Sequence, residues 1–162
     1  MTKPQPIPEG YGTVTPWVVT KDTRRLLEFI KDAFDAEELA RVEVEGGAIG
    51  HAEARIGDSI IMMFASPFPV ATPGFLRLYV EDGDEVFRKA VAAGATSVTR
   101  LTELAWGDRV GRVRDPLGNI WWIQERIEEP SQDEMAERFQ DPKYTEAMEY
   151  VQSSLAPGLD AS

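Results

Sequence analysis

His51 is the single histidine of this 162-residue chain, and there is no cysteine. Side-chain proton transfer near neutral pH therefore falls to one imidazole, and thiol nucleophiles, disulfides and thiolate-bound zinc are excluded. Glu53 follows two residues later, and in an extended segment residues two apart share a face. A carboxylate is thus placed to set the tautomer of the ring, which makes His51 and Glu53 the candidate catalytic base and its orienting partner. Three roles are open to His51: a hydrogen-bonded strand residue or one at a subunit seam, a ligand contact or base, and a metal ligand. Any Ser-His-Asp scheme would have to run through His51, and there is no Gly-x-Ser-x-Gly elbow. Gly46-Gly47 and Gly57 read as turns, because no glycine-rich loop is followed by Lys-Ser/Thr and a helix.

The cations point to a different chemistry. Arg77 interrupts the apolar segment Phe75 to Val80, and a guanidinium there can grip a carboxylate or phosphate with two parallel hydrogen bonds. Arg109, Arg112 and Arg114 crowd one short stretch; they read first as a solvated or ion-paired face and second as an anion site. The chain carries 17 Lys and Arg against 28 Asp and Glu, a net charge of −11. That balance argues against nucleic acid or an anionic membrane surface as partner. The Pro-rich start, Met1 to Gly10, has no basic segment leading into an apolar run, so a secretory signal is not expected. No apolar run approaches the roughly 18 residues of a membrane helix, and the expected location is the cytoplasm.

The elements that must hold these groups fall into two similar halves. In the first, Trp17-Val18-Val19 leads into Lys21-Asp22-Thr23 as a helix cap, and then Leu26, Leu27, Ile30 and Phe34 recur on one helical face. His51 to Ile56 alternates as a half-buried strand, with Ala52, Ala54 and Ile56 opposite His51, Glu53 and Arg55; Gly57-Asp58 turns, and Ile60 to Phe64 returns. About sixty residues after the first strand the same grammar restarts at Phe75. Glu81 to Asp84 caps a helix whose face is Val86, Phe87, Ala90 and Val91, and Gly94 stops it. Arg109 to Arg114, the turn Asp115-Pro116-Leu117-Gly118-Asn119 and Ile120 to Gln124 close the second half. Of Trp121 and Trp122, alternation sends one to the helix side and one to the other face; Trp121 is taken as core.

Beyond residue 124 lie ten carboxylates and three basic side chains. Ser131-x-x-Glu134 has capping-box form and predicts a short helix over about 132–140. Asp141-Pro142 starts another, and Tyr144, Met148, Val151 and Leu155 form a stripe that must be buried on the main body or on a partner.

The segments Trp106-Gly-Asp-Arg-Val-Gly-Arg-Val-Arg-Asp-Pro-Leu-Gly-Asn-Ile-Trp-Trp-Ile123 and His51-Ala-Glu-Ala-Arg-Ile-Gly-Asp-Ser-Ile60 resemble the vicinal oxygen chelate superfamily of glyoxalases, bleomycin-resistance proteins and extradiol dioxygenases, in its PhnB-like branch. The resemblance implies an α+β fold of two tandem βαβββ modules whose cupped mixed sheet holds the ligand. Residues 1–12 form an N-terminal arm, 13–127 the domain (modules about 13–65 and 74–127), and 128–162 an acidic helical extension. In metal-dependent members four cup-facing positions carry His, Glu or Gln. Carried across singly, they fall near Thr15, at Ile61 or Met62, at Phe75 and at Trp122, none of which is a divalent-cation ligand. No cofactor is therefore expected, with a divalent metal conceivable only in a shifted site.

What the resemblance places in the cup instead is Trp17, His51, Met62, Phe75 and Arg77. Tyr79, Trp122 and Gln124 join them, with Trp106 on the loop at the rim. Aromatic walls with a guanidinium anchor suit a small organic molecule with a planar part and an anionic handle. The leading expectation is a metal-independent binder of that kind, of the sequestering or resistance type, acting as a homodimer whose C-terminal extension wraps the partner subunit. The alternative is a lyase, isomerase or dioxygenase using His51 and Glu53, with or without metal. A third possibility is a regulatory subunit whose cup is filled by its own side chains.

Overall fold

The computed structural model describes residues 4–67 and 72–156, so the centre of the connector between the halves lies outside the described residues. The chain divides into two units, Met1–Gly74 and Phe75–Ser162.

The first unit runs β1 (Trp17–Thr20), α1 (Thr23–Phe34), β2 (Glu37–Glu43), β3 (Ile49–Ile56) and β4 (Ser59–Ala65). Its strand order is β1-β4-β3-β2, with β1 parallel to β4 and the other pairs antiparallel. Asp22 caps α1 by accepting the Arg25 N–H at 3.0 Å, satisfying one of the orphan donors of the first turn. Leu26, Leu27, Ile30 and Phe34 are buried, together with Phe29 and Ala33. They pack on the sheet face formed by Val18, Met63, Ala52 and Ala54, all buried; the two alanines let the helix approach β3 closely.

The second unit repeats the plan with β5 (Phe75–Val80), α2 (Gly83–Ala92), β6 (Thr96–Glu103), β7 (Asp108–Arg114) and β8 (Ile120–Arg126). The order is β5-β8-β7-β6, again with one parallel pair, β5 with β8. Asp82 caps α2 through the Glu85 N–H at 2.9 Å. Ala90 is buried and Val86 and Phe87 half-buried, whereas Val91 is exposed: the expected helical face stops one residue short, at the edge of the stripe. Where α2 crosses β7 the strand has Gly111, at which a Cβ would come within 3.1 Å of both Phe87 and Leu101. Trp121 is fully buried on this side, as its place in the alternation requires.

The β7–β8 turn is organised by Asp115. Its Oδ1 accepts the backbone N–H groups of Leu117 and Asn119, and its Oδ2 accepts Asn119 Nδ2 at 2.8 Å and Trp121 Nε1 at 2.9 Å. Gly118 supplies the positive φ, 96°, that closes it.

Past β8 come α3 (Gln132–Arg138), with the capping box formed by Ser131 and Glu134, and α4 (Pro142–Ser153), with Asp141 at its cap. α4 packs on the sheet of the second unit in its own chain. Val151 joins Leu104 and Val110 in a buried cluster, flanked by Trp106, Trp122, Ala147, Met148 and Tyr150. The stripe finds apolar surface on the sheet face that α2 leaves bare.

Candidate functional site

Each sheet has one face covered by its long helix and one face turned away from it. On the first sheet the register sets Trp17, Met62 and Glu53 side by side, and Val19, Phe64 and His51 beside them. The choice between Ile61 and Met62 is thereby resolved: Ile61 pairs with Ala54 on the helix side and is buried, while Met62 lies on the other face. Trp17 is 58% exposed and meets Phe64 and His51 edge-on, with ring centroids 5.4 and 6.0 Å apart.

His51 Nε2 is 3.1 Å from Glu53 Oε1. The other carboxylate oxygen of Glu53 accepts a hydrogen bond from the Tyr11 hydroxyl. That bond, and then the one to His51, hold the Glu53 carboxyl below the usual carboxylate range, while the same bond raises the Tyr11 phenol. The candidate pair is therefore a chain of three, Tyr11–Glu53–His51. Tyr11 is absent from the candidates found in the sequence, since it lies 42 residues from Glu53 in an arm without periodicity. With Nε2 directed at Glu53, Nδ1 is the ring position left to meet a ligand.

On the second sheet the register forms a row across four strands: Arg77 on β5, Trp122 on β8, Arg112 on β7 and Thr99 on β6. The guanidinium carbon of Arg112 lies 4.0 Å, and that of Arg77 5.1 Å, from the Trp122 ring centroid. Arg112 is only 3% exposed, and burial, then the neighbouring Arg77, hold its pKa below the ordinary value. Its Nη1 donates to Thr99 Oγ1 at 3.1 Å and to the Val151 carbonyl of α4 at 2.5 Å.

The three arginines of β7 thus do not form one solvated face. Alternation turns Arg109 to the helix side, where it pairs with Asp84 at 2.8 Å and Glu125 at 3.1 Å, while Arg112 is covered by α4. Phe75 and Tyr79 flank Arg77 on β5 and are exposed. Gln124 is buried and donates to Asp108, which also accepts Trp106 Nε1 at 3.2 Å. Gln124 and Trp106 are thereby engaged within the protein, at the end of the row that α4 covers.

A family model described as the Glyoxalase/Bleomycin resistance protein/Dioxygenase superfamily matches residues 11–123, the stretch that carries both sheets. The chain belongs to that superfamily. It is 36% identical over 134 residues to an uncharacterized protein of Mycobacterium bovis, covering 75% of this chain and 88% of that one. Among solved structures it is similar to TioX from Micromonospora sp. ML1, with 28% identity and a TM-score of 0.61 over 72% of this chain and all of that one, 100%. A PhnB protein from Bacillus cereus aligns with a TM-score of 0.55 at 18% identity, over 70% of this chain and 99% of that one. The fosfomycin resistance protein FosX from Listeria monocytogenes aligns at 0.57 and 14%, over 76% and 97%. These last two share the fold.

Within this superfamily, the residues at the positions carried across from metal-dependent members do not fit a divalent cation. Thr15, Met62, Phe75 and Trp122 offer no set of hard donors. Among the described residues, no group of three or more His, Asp or Glu side chains is placed to hold a metal; His51 and Glu53 together supply only two.

Proposed function

We propose that this superfamily member is a metal-independent small-molecule-binding protein. Its ligand is a flat aromatic or amphiphilic molecule with an anionic group, and it works in the cytoplasm as a homodimer. The observation that carries this reading is the population of the bare sheet faces. Phe75 and Tyr79, 54% and 63% exposed, flank Arg77, which itself lies over Trp122. Large exposed apolar side chains around a guanidinium are costly to leave in water, and they match a planar body and a carboxylate. Trp17 and Met62 supply a second apolar surface of this kind on the first sheet.

Titration of tryptophan emission with 2-naphthoate tests this, together with elemental analysis of the purified protein. Expected are saturable quenching with a Kd of about micromolar order, no turnover, and no stoichiometric metal. No quenching, or quenching that depends on about one bound metal per chain, would overturn it.

The rival reading, an enzyme of the same superfamily, is favoured by one observation, the Tyr11–Glu53–His51 chain. A substrate whose conversion is lost in His51→Ala, with the fold retained by circular dichroism, would establish it in place of the binder.

A further inference from the structure

Arg112 is a buried cation held by neutral acceptors alone. Among the described residues no carboxylate lies within 4.0 Å of it; its partners are the Thr99 hydroxyl and the Val151 carbonyl, and its Nε is buried with no hydrogen-bond partner. A second guanidinium, Arg77, stands on the other side of the same indole. The carboxylate nearest in the strand pattern, Asp108, is engaged by Gln124, Trp106 and, at 4.0 Å, Arg126. A desolvated charge without a counter-charge is unfavourable, and the buried Arg112, with the exposed Arg77 adding positive charge across the same indole, defines a place for an anion.

The Val151 carbonyl now fills part of that place. It belongs to the last turn of α4, whose carbonyls lack partners within the helix and carry partial negative charge. Val151 is the only fully buried residue of the helix, and Ala147, Met148 and Tyr150 are half-buried against the cluster of Leu104 and Val110. The polar ties of the helix include Tyr150 Oη accepting from the Arg100 backbone at 3.0 Å, Thr99 Oγ1 with Ser154 Oγ at 2.8 Å, and Glu103 accepting from Tyr144 Oη at 3.0 Å and Lys143 Nζ at 3.2 Å. A carboxylate would offer Arg112 two oxygens and a full charge, bonds roughly twice as strong as one to a neutral carbonyl.

We infer that α4 is a displaceable stopper on a carboxylate subsite, and that an aromatic carboxylate and the last turn of α4 compete for Arg112. The carboxylate takes the place of the Val151 carbonyl on Arg112, with its ring extending past the edge of Trp122 toward Arg77. This inference rests on the binder reading above and adds to it the second guanidinium and the competition. Because the helix must leave before the ligand is fully seated, apparent affinity equals the intrinsic affinity multiplied by the fraction of molecules in which α4 is undocked.

The test uses the full chain, 2-naphthoate, and the neutral 2-naphthylmethanol as control. Hydrogen exchange across residues 142–156 is measured with and without each probe. Saturating 2-naphthoate is expected to speed exchange in α4 several-fold while the alcohol leaves it unchanged. Tyr144→Phe combined with Lys143→Met removes the ties of the helix to Glu103 without touching Arg112 or its acceptors. It should tighten 2-naphthoate binding by about tenfold, whereas Arg77→Gln should weaken it by about the same factor.

Quenching by 2-naphthoate with α4 exchange unchanged or slowed, with weaker binding in the double variant, or with full affinity in Arg77→Gln, would overturn the stopper and leave the binder reading standing. Absence of quenching by either probe would overturn both. Exchange in the unmodified protein decides the matter even if a variant fails to fold.

Discussion

The two units share strand order, one parallel strand pair and an aspartate-capped helix, yet their bare faces have become opposites. The first has an acid and an imidazole, Glu53 and His51, reached by the hydroxyl of Tyr11 from the arm. The second has two guanidinium groups about an indole, Arg112 covered by a helix of the C-terminal extension and Arg77 exposed. Duplicated backbones are held by what lies between sheet and helix, where Ala52 and Ala54 in one unit and Gly111 in the other allow close packing. Faces outside that layer are free to diverge, and the segment nearest in sequence to each unit, arm or tail, is what reaches them.

The largest expected effect separates the two β-turns. Asp115→Ala leaves four donors without their acceptor, one on the buried Trp121, and should cost about 3 kcal/mol in urea unfolding. Asp58→Ala at the corresponding turn of the first unit removes one exposed contact to Ser59 and should cost less than about 0.5 kcal/mol. Equal losses would mean that the second turn is no more tightly built than the first. Next is Val151→Ala, expected to cost about 1.5 kcal/mol and to raise hydrogen exchange selectively across α4; uniform exchange changes would show that α4 is not a separate cover.

Two smaller effects concern carboxylates of the first unit. The Arg41 hydrogen bond, and then that of Lys31, hold Glu38 at about 2 against an ordinary 4.5. A depressed carboxylate stabilises the fold fully above its unfolded pKa and loses that contribution as pH falls through its folded one. Glu38→Gln should therefore remove about 1 kcal/mol at neutral pH, discounted for solvent, and flatten the decline in stability from pH 4.5 toward 2. The smallest effect is on stability but not on titration: Tyr11→Phe should change stability by less than about 1 kcal/mol. It should also move the Glu53 titration, followed by carboxyl carbon chemical shift, upward toward the ordinary range. An unmoved Glu53 would mean that the arm does not set the electrostatics of the first face.

Much of the fold is legible in the residues. The caps at Asp22, Asp82 and Ser131, the stripe of α1, the alternation of β3 and the Asp115 turn each carry a local rule, and each is found where it was read. β2 and β6 are harder to see, because their residues are largely polar and an edge strand needs no apolar alternation; β2 has no buried residue. The candidate site is legible in part. Alternation placed His51 beside Glu53, and the family resemblance combined with alternation placed Trp17, Arg77 and Trp122 on the faces away from the helices. It gave no sign of Tyr11, nor of Arg112 as a buried partner of Trp122.

The difference lies in the range of the interactions. Caps, turns and periodicity are set by residues within a few positions of one another, so the chain by itself determined two βαβββ units, their helix-side cores and which side chains share a strand face. What covers those faces depends on contacts across tens of residues, such as Tyr11 to Glu53 and Val151 to Arg112. An amphipathic stripe such as that of α4 specifies that it must be buried without specifying where. Only the tertiary structure decided that the tail would cover Arg112 of its own second sheet, where it meets both an apolar cluster at Leu104 and Val110 and a buried donor for the Val151 carbonyl.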